Sequence, residues 1–331
     1  MLLARRSFAG ALGLLPLALV AGPALPAAAH GEFEEWLRKL RAEARAAGIR
    51  DSTLDRALAG LEPLPRVVEL DRRQPEGRLT FAEYRRRVVS RDRIRRGREL
   101  RARHRRILAA TARRYGVADR ILVALWGIES SFGGFKGRFN VVAALATLAF
   151  DGRRAAFFRK ELLAALRILD EGHVRVEQMY GSWAGAMGQP QFMPTTFLAH
   201  AVDADGDGRR DIWNSLPDVF ASMANYLRRS GWDRRYRWGR EVRLTRAVDG
   251  ERIGLRHRAA LATWARRGVR RADGGALPQV AIDASLLLPD GPGGPAFLVY
   301  DNYRVLLRWN RSHYFALSVG LLSDAILARS A

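Results

Sequence analysis

Apolar residues recur at the three-to-four-residue spacing of helices in one segment after another between residues 32 and 327. Each segment ends at Gly, Pro or a polar loop, and only one stretch departs from the pattern. Residues 32–47 set Phe33, Trp36, Leu37 and Leu40 against charged neighbours, and 51–61 reads as a short second helix before Pro63 and Pro65. Residues 80–115 predict one or two long arginine-rich helices ended by Gly116. A helix capped by Asp119 follows, stopped by Gly133-Gly134. Further helices are expected over 141–149, 154–170, 194–201, 217–229, 297–308 and 312–327. Residues 240–295 differ, with short β-prone runs at 241–244, 279–282 and 285–288 and one helix at 259–267. The expected fold is therefore mainly α (α+β): an N-terminal helical region (30–105), a helical core (106–239), a small α+β insertion (240–295) and C-terminal helices (296–331) completing the core.

Residues 1–29 read as an export signal. Arg5-Arg6 precede an apolar run over 9–25, and Pro26-Ala27-Ala28-Ala29 offers a small-residue cleavage site. Arg5-Arg6-Ser7-Phe8 also resembles a twin-arginine signal, so both export routes stay open. Pro16, Gly22 and Pro23 interrupt the run, which argues against a membrane anchor. The absence of cysteine excludes disulfides, thiolate zinc sites, thiol catalysis and an N-terminal lipoprotein anchor. A net charge of +22 would attract polyanions, yet arginine supplies nearly all of it and the excess is spread along the chain. The densest run, 85–106, reads most simply as the solvated face of helices, and no nucleic-acid-binding module is recognisable.

Glu129 is the carboxylate in the most unusual setting, in Trp126-Gly-Ile-Glu129-Ser130-Ser131-Phe132-Gly133 at the last turn of an apolar helix. Desolvation and the negative helix end both disfavour its anion, so a protonated acid near neutral pH is expected. Asp151, Glu161, Asp170 and Glu177 read as solvated groups in turns or on helix faces. No second carboxylate has a comparable setting, whereas an ordinary glycoside hydrolase needs two.

Four segments extend this reading: Glu129-Ser-Ser-Phe-Gly133, Ala144-Leu-Ala-Thr-Leu-Ala-Phe150, Gly185-Ala-Met-Gly-Gln-Pro-Gln-Phe-Met-Pro-Thr195 and Trp309-Asn-Arg-Ser-His-Tyr314. In their order and content they resemble the lytic murein transglycosylase B family, from about residue 32 to the C-terminus. The resemblance implies a lysozyme-like core, periplasmic action on peptidoglycan glycan strands, and Glu129 as the single catalytic acid and base, with no cofactor needed for catalysis. It implies substrate contacts from Gln191 and Phe192 on the cleft floor and from the Trp309-Asn310 pair. Ser131, Phe157, Tyr180 and Tyr314 complete the candidate contacts, and Tyr300 and Tyr303 are further rings that suit a sugar face. Trp309 and Phe157 stand where relatives carry tyrosines, which alters hydroxyl contacts but not stacking. Met187 and Met193 read as core fillers, and Gly185 and Gly188 as sites of close backbone approach.

Asp203-Ala-Asp205-Gly-Asp207-Gly-Arg209-Arg-Asp211-Ile-Trp-Asn214 follows the start of an EF-hand loop, with the Arg209 carbonyl at position seven. Asn214 replaces the usual bidentate glutamate. A structural calcium site and a metal-free acidic turn are both open. His173, His200, His257 and His313 have no metal-ligand spacing. The expected partners are the glycan strands, with other cell-wall enzymes as a candidate association, for a monomeric chain. The competing readings are a water-using lysozyme-like hydrolase, a non-catalytic wall-binding scaffold and a charge-driven nucleic-acid binder.

Overall fold

The computed structural model describes residues 27–73 and 79–328. The expected export signal lies outside the described residues, except for Ala27, Ala28 and Ala29 at the start of the first helix. In chain order the elements are α1 (Ala27–Ala46), α2 (Asp51–Leu58), α3 (Pro65–Arg72), α4 (Phe81–Val88), α5 (Arg91–Arg103), α6 (Arg105–Tyr115), α7 (Asp119–Ser130), β1 (Phe139–Asn140), α8 (Val141–Phe150), α9 (Ala155–Asp170), β2 (Tyr180–Gly181), α10 (Pro194–His200) and α11 (Leu216–Arg229). Then follow β3 (Gly239–Leu244), β4 (Ala259–Ala260), α12 (Leu261–Arg266), β5 (Val269–Arg271), β6 (Asp283–Leu287), β7 (Ala296–Val299), α13 (Asp301–Trp309) and α14 (His313–Leu327). The mainly α class with a small sheet is the expected one.

The long helical stretch is cut into three, with polar caps starting the first two pieces and a break without a side-chain cap at His104 before the third. The Thr80 side chain and Glu83 form a capping box that starts α4, and the Ser90 hydroxyl accepts the Arg93 N–H to start α5. Gly116, with a φ of 71°, ends α6 as expected. Among the described residues no helix is long and apolar enough to cross a membrane.

The described residues divide into two compact units, each built from separate stretches: 79–128 with 224–328, and 27–73 with 129–223. The expected boundaries near residues 105 and 239 do not coincide with this division. Its cause is packing between distant segments, since α4 and α5 pack on α14 while α2 and α3 pack on α9 and α8.

In the unit that holds Glu129, α8 is buried along residues 141–149 and is started by Asn140, whose side chain accepts the Ala143 N–H. Helix α9 packs along α8 and also holds α10. The other unit contains a five-stranded antiparallel sheet in the order β4-β6-β7-β3-β5 with its own core, including Val242, Leu261, Trp264, Leu286 and Leu298. Three expectations are corrected here. Residues 296–299 open the supposed helix of 297–308 as strand β7, because a fully apolar run suits a strand buried on both faces as well as a helix. Residues 279–282 are not a strand; pairing begins at Asp283. The helix expected over 259–267 shortens to α12, because Ala259 and Ala260 pair with β6.

Candidate active site

Glu129 occupies the last turn of α7 and is half-buried. The helix stops immediately after it, ahead of the expected glycines: Ser131 (φ 51°), Phe132 (φ 61°) and Gly133 (φ 77°) take left-handed conformations in succession. Two of these carry side chains and so store backbone strain. Packing holds the strained turn in place. Phe132 is buried, and the buried Ser130 hydroxyl accepts the Gly133 N–H at 3.1 Å while its carbonyl accepts the Phe135 N–H at 2.9 Å.

The segment after this turn is tied to the 185–195 motif. Strands β1 and β2 pair Phe139 with Gly181 and Asn140 with Tyr180. A Cβ on Gly137 (φ 100°) would lie 1.9 Å from the Gly181 carbonyl, so the two backbones cross with no room for a side chain. The motif itself is a tight double reversal, in which Met187 bridges Gly181 on one side and Phe192 on the other. Gly185 faces Leu145 and Gly188 faces the Ile212 carbonyl at distances that exclude a Cβ, as their expected close approach requires. Gln191 (φ 53°) is the third strained residue of this unit. Its amide nitrogen donates to the Gly188 carbonyl at 2.8 Å and to the Lys136 carbonyl at 3.5 Å, which orients the side chain.

Glu129, Ser131, Phe157, Tyr180, Gln191 and Phe192 thus belong to one unit. Tyr180 is 45% exposed and offers an open ring, whereas Phe192 is only 3% exposed and builds the packed support of the loop, together with the buried Met187 and Met193. Half-buried Phe157 packs edge-on against Phe158 on α9. Trp309, Asn310 and Tyr314 belong to the other unit. Trp309 is half-buried and packs edge-on against Tyr226 at 4.9 Å. The buried Asn310 spends its carbonyl oxygen on the Ser312 N–H, and Tyr314 packs against Phe81 and Tyr84. Tyr300 and Tyr303 are core rings with no free face.

In the acidic loop Asp203 and Asp205 of the expected set come together with Asp218, which lies outside it. Asp203, Asp205 and Asp218 hold ligand atoms within 4.8 Å of one another. Asp207 instead pairs with Arg209, and Asp211 accepts the N–H groups of Trp213 and Asn214. Asp218 is fully buried; burial, then the charges of Asp205 and Asp203, push its pKa up against the N–H bonds from Ala204 and Asp211.

With this geometry established, comparison with known proteins is decisive: the family described as "Transglycosylase SLT domain" matches residues 32–324. The chain belongs to that family. It is 33% identical over 226 residues to membrane-bound lytic murein transglycosylase B of Escherichia coli K12, a match covering 65% of this chain and 59% of that relative. SltB3 from Pseudomonas aeruginosa, solved in complex with NAG-anhNAM-pentapeptide, is 48% identical with a TM-score of 0.86, covering 89% of this chain and 79% of that one. The Escherichia coli lytic transglycosylase Slt35, solved with calcium, is 27% identical with a TM-score of 0.74, covering 89% and 92%.

In this SLT domain four residues whose part sequence reasoning passed over matter to the site: Glu161, Asp218, Lys136 and Gln189. Glu161, expected as a solvated helix residue, is 2% exposed: one oxygen accepts the Thr195 N–H at 2.9 Å and the other the Thr195 hydroxyl at 2.8 Å, fixing the end of the motif to α9. Asp151 and Asp170, also expected to be solvated, are largely covered by their pairing with Arg72 and Arg50. Asp218 completes the acidic cluster. The Lys136 ammonium donates to the Trp213 carbonyl and the Asn214 side chain, while Gln189 donates to the same Trp213 carbonyl, so the acidic loop is stapled to the motif. Nothing local in the sequence flags any of the four, since each is placed by partners distant along the chain.

Proposed function

We propose that the chain is a lytic transglycosylase cleaving the MurNAc–GlcNAc β-1,4 bond of peptidoglycan, with Glu129 as its single general acid and base. The observation carrying this reading is one half-buried carboxylate at a helix end, set on a strained turn that is tied by β1–β2 pairing to the 185–195 loop. In the first step Glu129 gives its proton to the bridging oxygen as the bond from MurNAc C1 breaks, and GlcNAc leaves as the alcohol. The substrate N-acetyl group can stabilise the developing charge at C1. In the second step the Glu129 carboxylate takes the proton of the muramic 6-hydroxyl as that oxygen bonds to C1. The product is a 1,6-anhydro end, Glu129 is protonated again, and no water is consumed. A hydrolase would need a second working carboxylate. The buried acids of this unit are otherwise engaged, Glu161 with both oxygens on Thr195, Asp71 with Arg153 and Arg154, and Asp218 with the N–H groups of Ala204 and Asp211, which favours the one-acid route. Mass analysis of digested sacculi tests the reading: anhydro ends are one water lighter than hydrolytic ends, and hydrolytic ends alone would refute it.

Gln191→Ala is expected to lower turnover by about ten-fold or more, the scale of one transition-state hydrogen bond. Its φ of 53° adds a cost for any side chain, so Gln191→Asn, which tolerates that backbone and keeps the amide, is the control. Turnover in Gln191→Ala equal to wild type would assign Gln191 to loop structure alone.

Periplasmic location, reached by cleavage of the 1–29 signal, belongs to the same proposal. The mature protein should begin at or close to His30, which N-terminal sequencing of exported protein checks.

The acidic cluster fits a calcium ion by its chemistry: three carboxylates crowd together, and burial, with the charges of Asp205 and Asp203, pushes the Asp218 pKa up. Asp203, Asp205 and Asp218 would hold the ion, whose role is to fix the loop that Lys136 and Gln189 join to the motif. With an affinity of roughly 0.1 to 1 mM, calcium at ten times its dissociation constant should add ~1.4 kcal/mol, a rise of a few degrees in Tm. Asp218→Asn should remove that rise. A wild-type melt unchanged between chelator and millimolar calcium would leave an acidic turn without metal.

A further inference from the structure

We infer that the unit containing the five-stranded sheet carries a carboxylate-binding pocket for the peptide part of the wall polymer. The pocket has a volume of about 460 Å³ and is lined by Arg120, Arg234, Arg235, Arg237 and Arg240, with walls from Trp232, Tyr236 and other residues of this unit, and no lining residue is acidic. What sets it apart is the convergence of five arginines on one cavity. Within the pocket, Arg235 pairs with Asp233 and Arg237 with Asp324. Arg120, Arg234 and Arg240 have no carboxylate within ion-pair distance among the described residues. Asp119, the acid nearest in sequence, is committed to Arg101 and to the Arg120 N–H. Arg240 is held by the Tyr300 hydroxyl at 2.7 Å. The Nε of Arg120 is buried without a hydrogen-bond partner, an arrangement that costs free energy until an acceptor arrives.

Guanidinium forks bind carboxylates in parallel pairs of hydrogen bonds, and the half-exposed Trp232 and Tyr236 give flat faces for the carbon chain beside the charge. The peptide stems of peptidoglycan supply such groups at their ends. Naming them as the source rests on the proposed action on peptidoglycan; the charge argument does not. The pocket takes the carboxyl-bearing end of a stem, whether free in solution or attached to the disaccharide.

Calorimetric titration of the purified chain is the test, with free pentapeptide, the same peptide with its carboxylates amidated, NAG-anhNAM-pentapeptide, and inorganic phosphate as probes. Free pentapeptide should bind, the amidated peptide at least ten-fold more weakly, and Arg120→Gln and Arg234→Gln should each raise the pentapeptide Kd by about ten-fold. Arg234 is exposed, so its variant remains informative if Arg120→Gln folds poorly. Binding of the anhydro compound with the same sensitivity to both variants places the attached stem in the pocket, whereas sensitivity of the free peptide alone restricts it to released peptides; either result supports the proposal. No pentapeptide binding, binding indifferent to both variants or to amidation, or phosphate binding tighter than peptide overturns it. Sacculus digestion yielding anhydro ends alongside failed peptide binding removes the pocket and leaves the catalytic reading standing.

Discussion

Replacing Glu129 by Gln is expected to abolish release of muropeptides from purified peptidoglycan while leaving folding and glycan binding in place. The amide keeps the size and hydrogen-bonding reach of the carboxyl but can neither give up the proton that frees the leaving oxygen nor accept the one from the 6-hydroxyl. In the proposed mechanism both halves of the reaction use the same group, so no residual half-reaction is expected. A loss of at least 10³-fold in kcat is expected, within the range that general acid catalysis and positioning supply together. Glu129 sits at a helix end with Ser131 and Phe132 in left-handed conformations directly behind it, and Gln at 129 disturbs neither. The Tm should therefore stay within about a degree of wild type, a change of under ~0.5 kcal/mol for a chain of this length. Muropeptide release at near wild-type rate would transfer the acid role to another group, with Glu161 then the first to examine.

The contrast between Glu129 and Glu161 shows how far local sequence reaches. Glu129 was legible because its neighbours in sequence are also its surroundings: an apolar helix before it and glycines after it. Glu161 looked like any polar position on a helix, since its burial comes from Thr195, 34 residues further on. Asp218 escaped for the same reason, lying beyond the twelve-residue frame in which an EF-hand loop is sought. Helix α8 and the stop at Gly116 followed from local text, apolar periodicity and a left-handed residue. Strand β7 did not, because Ala296–Val299 is apolar on both faces and only its pairing with β3 and β6 decides between strand and helix. The grouping of 27–73 with 129–223 was likewise out of reach, being set by packing of α2 and α3 on α9 and α8. Gly137 was invisible altogether: its sequence context, Lys-Gly-Arg, is that of any surface turn.

That glycine carries the second large effect. In Gly137→Ala the added Cβ would stand 1.9 Å from the carbonyl carbon and oxygen of Gly181, which are backbone atoms flanked by the β1–β2 pairing and cannot rotate away. The φ of 100° adds strain for any residue with a side chain. Some stabilisation comes from the stiffer unfolded chain, but at ~0.4 to 1 kcal/mol it is far too small to compensate. A net loss of about 4 kcal/mol is expected, lowering the Tm by roughly 6 °C. Gly152→Ala is the matched control, because Gly152 also has a positive φ of 87° yet a Cβ added there would meet nothing within 4 Å. It should lose only ~1 kcal/mol, the cost of the backbone conformation by itself. The same clash must push the 131–140 segment away from the 181–192 reversal, the link through which Glu129 and Gln191 keep their places. Turnover of Gly137→Ala at a temperature where it is fully folded should therefore fall by about 10²-fold, the effect of roughly 1 Å of misplacement. Gly152→Ala should keep its activity. Equal Tm losses in the two variants, or full turnover in folded Gly137→Ala, would mean that the backbone crossing at Gly181 neither holds the fold nor sets the position of the acid.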